Sequence, residues 1–149
     1  MRSYDLSRRY ECIGEIVQQS HAMHADAGRA ATTLTRQGNQ VSIIAQNLIE
    51  FWAVATRPAI NNGLALSVAD TAAHIKTFQQ TFTLLPDTPE IFFEWQRLVK
   101  AHSVSGRQAH DTRLVAAMLA HHVTHLLTFN DADFKRYTEI TVVNPQDIS

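Results

Sequence analysis

Val41-Ser42-Ile43-Ile44-Ala45 runs directly into Gln46-Asn47-Leu48-Ile49-Glu50-Phe51-Trp52-Ala53-Val54-Ala55-Thr56-Arg57. The first five residues are short, apolar and β-branched, a pattern that predicts a strand. From Gln46 the apolar residues return at helical period, with Leu48, Ile49, Trp52 and Ala55 along one face. Pro58 ends that helix. A strand feeding straight into a helix is the unit of a parallel sheet, and the rest of the chain repeats it. Residues 21–37 read as an Ala-rich helix with Gly38 at its stop. Ser67-Val68-Ala69-Asp70 is a capping-box-like start, with Asp in the place of Glu, of a helix reaching about Phe82. Thr83-Leu84-Leu85 is a brief strand, and Thr88-Pro89 a cap with Pro at the first helical position, opening a helix to about His102. After a loop through Gly106 come a helix (109–122), a strand (125–129), a short helix (131–137) and a last strand (140–143). Strands alternating with helices predict an α/β fold, a mostly parallel sheet covered on both faces.

Composition narrows the function. The chain has 149 residues, 45% apolar and 18% charged, with a net charge of −1. That is one domain able to bury a core, and neither a disordered chain nor a charged coiled coil. A surface basic in bulk, as for general nucleic-acid binding, is excluded; a local basic patch is not. Cys12 is the only cysteine, so no disulfide framework and no cysteine-built zinc site is expected. Met1 to Tyr10 are charged and lack an apolar core, and no apolar run reaches membrane-spanning length. A cytoplasmic location is the expectation. No repeat or Pro/Gly-rich linker divides the chain, so it reads as an atypical segment 1–19 followed by one domain, 20–149.

In parallel sheets the working residues gather at the carboxyl ends of the strands. Three places stand out. Glu50 is the only carboxylate in an apolar helix, and Glu is rarely buried without a partner; an ion pair with Arg57 is the plain alternative. Asp111 stands in line with Leu114, Val115 and Met118, on the core-facing stripe of its helix; first-turn carboxylates are often only dipole partners. Asn130 directly follows the strand 125–129, with Asp131 and Asp133 beyond it. Asp131 reads as the cap of the short helix, which leaves Asn130 and Asp133 to face a site. Oxygen donors without thiols suit Mg²⁺ or Mn²⁺ better than Zn²⁺. Such an ion relieves repulsion among clustered carboxylates and can activate water against a phosphodiester.

These residues lie in three separated stretches that resemble one family. Gln46-Asn47-Leu48-Ile49-Glu50-Phe51-Trp52-Ala53-Val54-Ala55-Thr56-Arg57-Pro58 is similar to the second motif of PIN-domain nucleases of the VapC toxin type. Gly106-Arg107-Gln108-Ala109-His110-Asp111-Thr112-Arg113-Leu114-Val115-Ala116 resembles the third, and Leu127-Thr128-Phe129-Asn130-Asp131-Ala132-Asp133-Phe134 the fourth. The similarity runs in order from about His21 to Pro145. It implies a three-layer α/β/α sandwich, a Mg²⁺- or Mn²⁺-dependent endoribonuclease, a homodimer, and neutralisation by a small antitoxin protein. By position, Glu50 and Asp111 would be metal-site acids, Asn130 would take the fourth motif's acidic or amide position, Asp133 would be an adjacent acid, and Thr128 its small polar residue.

One departure is large. The family opens on an apolar strand ending in Asp-Thr-Asn, whose Asp is a principal metal ligand. Residues 1–19 read MRSYDLSRRYECIGEIVQQ, polar and without a strand pattern, so that strand is expected to be absent. Asp5, Glu11 and Glu15 are poor substitutes in context. Codons chosen for Tyr4 to Glu15 and read one base later can spell M-I-Y-L-V-D-T-N-V-L-V, the family's opening. A frameshifted N-terminus, restored near Ile16, is the resulting hypothesis. Nucleotides that do not give Asp-Thr-Asn in that second frame refute it. With the first ligand gone, the remaining acids would hold an ion loosely, and the chain with this opening is expected to be an impaired nuclease. The alternative is a catalytically inactive PIN-like module that dimerises or binds an antitoxin.

Other features carry less. Of eight histidines, His121 and His122 sit at a helix C-terminus, where the dipole favours a cation, and His21 and His24 lack a third ligand. Arg97, Lys100, Arg107, Arg113, Lys135 and Arg136 flank the third and fourth motifs and are most simply solvated, with phosphate contacts the less common use. Trp52, Phe92, Phe93 and Trp95 read as core or dimer interface rather than base-stacking platforms, and Ile91, Phe92, Trp95, Leu98 and Val99 form one broad stripe. His110-Asp111 also resembles the metal-binding pair of HD-type phosphohydrolases, but those are all-helical, and the predicted strands argue against them.

Overall fold

A computed structural model describes residues 11–14 and 21–148, with side chains from Gly28 onward. Five strands form one parallel sheet: β1 (Glu11–Gly14), β2 (Gln40–Ile44), β3 (Thr83–Leu85), β4 (His125–Leu127) and β5 (Thr141–Val143), in the order β3-β2-β1-β4-β5. The helices are α1 (His21–Arg36), α2 (Ala45–Thr56), α3 (Val68–Thr81), α4 (Pro89–Ala101), α5 (Gln108–Ala120) and the single turn α6 (Asp131–Phe134).

Alternation along the strands sends neighbours to opposite faces, and that sets the layers. Ile44 and Leu126 join Ile91 and Leu98 of α4 and Leu114 and Met118 of α5 in the largest core cluster. Val41 and Leu127 pack with Ala30 and Leu34 of α1 on the other face. There Ile43 meets Leu48, Phe51 and Ala55 of α2 and Phe78 of α3. The result is the expected three-layer sandwich, with α4 and α5 on one side and α1, α2 and α3 on the other.

The expectation of no N-terminal strand is corrected here. β1 occupies the centre of the sheet, with Cys12 opposite Val41 on one flank and His125 on the other. Its place is dictated by the two ladders beside it. A parallel strand there completes main-chain hydrogen bonds for both β2 and β4, which needs no side-chain pattern in Glu11-Cys12-Ile13-Gly14. The site residues weighed at this end, Asp5 and Glu15, lie outside the described residues, as do the side chains of Glu11, His21 and His24.

Two helix faces also differ from expectation. In α2 the buried side chains are Asn47, Leu48, Phe51 and Ala55, while Ile49 is 68% exposed and Trp52 36%. The buried set follows the three- and four-residue steps from Leu48 more closely than the predicted face does. In α4, Ile91 and Leu98 are buried, but Phe92 is 55% and Phe93 66% exposed. The caps mostly match. Ser67 accepts a bond from the Asp70 N–H at 3.0 Å, and Pro89 stands in the first turn of α4. Gly38 takes the left-handed conformation at φ 86° and Gly106 at φ 64°.

Topology decides where a site can be. The chain steps outward from β1 to β2 to β3, then returns to place β4 on the other flank of β1. Strand order reverses beside β1, and the carboxyl ends of β2 and β4 open on the same edge. α2 leaves the first of these ends and Thr128 to Asn130 leave the second.

Candidate acidic site at the carboxyl edge of the sheet

Glu50 reaches this edge on the first turns of α2. The helix starts immediately after Ile44, because the Asn47 side chain turns back and its Oδ1 accepts the Ile44 N–H at 2.8 Å. Glu50 is half-buried, and its Oε1 accepts a hydrogen bond from Gln46 Nε2 at 3.0 Å. The alternative ion pair with Arg57 is not what holds it: the Arg57 guanidinium donates to the Asn61 carbonyl at 3.4 Å.

Asp111 lies in the first turn of α5, half-buried, just before the buried residues Thr112, Leu114 and Val115. Burial pushes its carboxyl above the ordinary aspartate range, and the negative charges of Asp133 and then Glu50 push it further; His110 and Arg107 pull the other way. The α5 start carries no side-chain cap, so its N–H groups favour an anion there. That pull does not prevail. Desolvation and the two like charges win, which marks Asp111, Asp133 and Glu50 as one electrostatic group.

Asn130 and Asp133 come from the loop after β4. Buried Thr128 accepts the Asn130 N–H on its Oγ1 at 3.0 Å, and the Asp133 N–H donates to the Asn130 carbonyl at 3.0 Å. The N-cap position of α6 is Asn130, whose side chain makes no cap hydrogen bond, and not Asp131; Asp131 and Asp133 both sit in the first turn. The amide of Asn130 and the carboxylate of Asp133 are on exposed residues.

Three ties that the sequence did not reveal hold these pieces in register. Gln46 Nε2 also donates to the His110 carbonyl at 2.8 Å, joining α2 to the start of α5. The hydroxyls of buried Thr112 and Tyr137 are 2.6 Å apart, joining α5 to the segment after α6. Arg136 donates to Gln108 Oε1 at 2.7 Å across the same junction. Gln46 stands four residues before Glu50, a helical spacing that could have flagged it.

Three of the six flanking cations, Arg97, Arg113 and Arg136, are engaged. Arg97 pairs with Glu94 at 2.7 Å, and Arg113 with Asp87 at 3.3 Å. His121, at the end of α5, contacts the Pro86 carbonyl at 2.7 Å through Nε2. Trp95 Nε1 donates to the Ala109 carbonyl at 2.9 Å, and its ring stacks on Phe92 at 5.9 Å. A cleft of about 740 Å³ lies elsewhere, between α1 and the C-terminal turn, lined by Arg29, Arg36 and Gln146 among others.

The donors at the edge are carboxylate and amide oxygens, and the uncompensated repulsion on Asp111 is what a hard divalent ion relieves. In kind, the residues fit such an ion. In number they stop short: among the described residues, no three acidic, imidazole or thiol groups gather closely enough to hold a metal by themselves.

No family model matches the sequence. No curated protein matches it either. Solved structures do. A chain of VapBC-1 from nontypeable Haemophilus influenzae is 12% identical with a TM-score of 0.66, covering 93% of this chain and 99% of its own. This chain has the same fold. VapBC2 from Rickettsia felis, solved bound to a DNA fragment from its promoter, matches at 13% identity and a TM-score of 0.59, over 91% of this chain and 98% of that one. A toxin–antitoxin complex from Klebsiella pneumoniae matches at 14% identity and a TM-score of 0.56, over 91% and 97%. The fold implied by the three motifs is the fold found, across nearly the whole chain. Among the described residues, no helix is long and apolar enough to cross a membrane.

Proposed function

We propose that this chain is a PIN-type endoribonuclease of the VapC kind, built to hydrolyse RNA with Mg²⁺ or Mn²⁺ and impaired at the first acidic position. The observation that supports it best is the electrostatic grouping of Asp111, Asp133 and Glu50, from three elements, at the edge where strand order reverses. Asp111, Glu50 and Asn130 would hold the ion, with Asp133 beside them. Bound there, the ion would supply charge for the phosphodiester and acidity for a water. The likeness to VapBC chains supports a small antitoxin as the partner. The exposed apolar side chains of α2 and α4, Ile49, Trp52, Phe92 and Phe93, offer surface for that partner or for a second copy.

The test is RNA cleavage with Mg²⁺ by two chains: the 149-residue chain itself and a variant opening with the frame-corrected Asp-Thr-Asn strand. The corrected variant is expected to cleave, to stop when the metal is chelated, and to lose at least ~100-fold in Asp111→Asn. The uncorrected chain is expected to cleave far more slowly or not at all. No cleavage by the corrected variant contradicts the nuclease reading. Equal, Asp111-dependent cleavage by both contradicts the impairment.

A second reading, a non-catalytic module that dimerises or holds an antitoxin, is favoured by the lack of a three-acid cluster among the described residues. Co-purification with a small partner, with neither chain cleaving RNA, would establish it over the first.

A further inference from the structure

We propose that Gln46 is a positioning residue that fixes Glu50 against the first turn of α5 and keeps the Arg113 guanidinium off it; this rests on the reading of the acidic edge as an ion site. One amide makes three bonds. Gln46 Nε2 donates to Glu50 Oε1 at 3.0 Å and to the His110 carbonyl at 2.8 Å. Gln46 Oε1 accepts from Arg113 Nη1 at 3.1 Å. The partners dictate the amide's orientation. A guanidinium only donates, while a carbonyl and an ionised carboxylate only accept, so exchanging the amide's O and N would break all three bonds.

The position of each partner gives the amide its role. Glu50 is one helical turn beyond Gln46 on the same face of α2. His110 immediately precedes Asp111, so the bond to its carbonyl locates the main chain that carries the second acid. Arg113 is one turn further along α5, its other nitrogen 3.3 Å from Asp87 Oδ1. Arg113 is therefore shared between Asp87 and the Gln46 carbonyl oxygen. The neutral amide is bonded to both the guanidinium and the carboxylate, and a direct pair between those two would spend the Glu50 charge on a side chain instead of on a ligand. Gln46 meets both halves of the requirement: it holds two acids from distant parts of the sequence at a fixed separation, and it leaves Glu50 without a cationic partner among the described residues.

The probe is Mn²⁺ alone, titrated calorimetrically into the full chain. Gln46→Met keeps the length and removes the amide's donors and its carbonyl acceptor, leaving only a weakly accepting sulfur. Its expected effect is a rise of roughly 10- to 100-fold in the Mn²⁺ dissociation constant, with a thermal midpoint close to the parent's. An affinity within twofold of the parent, in a titration where Glu50→Gln does weaken binding, overturns the proposal. The second readout needs no ion. The two Nε2 protons of Gln46 should give separate NMR signals, both slow to exchange with water, and Glu50→Gln should move one of them. Protons that exchange as freely as those of a solvated glutamine overturn the proposal. A parent chain that binds no Mn²⁺ sinks the reading of the site instead, and the amide signals then decide the positioning role by themselves.

Discussion

Asp111 is worth less to the folded chain when charged than when neutral. Its carboxyl is raised by burial, then by Asp133 and Glu50, so the folded state binds that proton more tightly than the unfolded state does. The sign follows. Where both states are protonated, at low pH, Asp111 makes no such difference; as the pH rises past the ordinary aspartate value of about 3.9, ionisation begins to penalise the folded state. Asp111→Asn is therefore expected to raise the thermal midpoint at pH 7, with the gain fading as the pH falls toward about 3 to 4. Melting curves across that range check it. A variant destabilised equally at every pH would mean that the carboxylate is a structural cap. Legibility at this scale is uneven. Glu50 and Asp111 stand out in the sequence because a carboxylate on an apolar stripe conflicts with its surroundings. Gln46 does not, since its role depends on the His110 carbonyl, which only the folded chain brings near. Asp131 reads as the cap because Asx chemistry suits several adjacent positions, and the main-chain geometry chooses Asn130 instead.

At the scale of elements, the strand-to-helix passage from β2 to α2 is legible directly from the change of period. β1 is not, because its order comes from the ladders of β2 and β4 rather than from Glu11-Cys12-Ile13-Gly14 itself. The faces of α2 and α4 are only partly legible for a related reason. Apolar spacing shows that a stripe exists, while neighbouring elements decide which of several apolar residues are covered, and Ile49 and Phe93 are not. The turn from α2 to α3 is more tightly specified. A Cβ on Gly63 would lie 1.9 Å from the Arg57 carbonyl oxygen, a main-chain atom that cannot swing aside. That oxygen also accepts the Ala65 N–H at 2.9 Å. Gly63→Ala is expected to destabilise the chain by about 1–3 kcal/mol, as overpacking does, read as a lower denaturant midpoint with an unchanged slope. An unshifted midpoint would show that the turn relaxes at no cost.

Across the whole molecule, topology turns scattered residues into one place. β1, β2 and β4 meet at the reversal of strand order, and the chain delivers Glu50, Asp111 and the loop of Asn130 and Asp133 to that edge from three elements. The alternation of strands and helices is enough to predict the layers, and the carboxyl-end rule points to the edge from which α2 and the loop after β4 leave. The spacing between acids is not legible, since it is set by Gln46, Thr112 and Tyr137 linking the elements. We propose that these acids share one hard divalent ion. Paramagnetic broadening by substoichiometric Mn²⁺ in the ¹⁵N spectrum of the chain tests it most directly. The backbone signals of Glu50, Asp111 and Asp133 are expected to broaden together, at the same low Mn²⁺ concentration, and to recover with a chelator. Broadening confined to one of the three, or centred elsewhere on the chain, would contradict it.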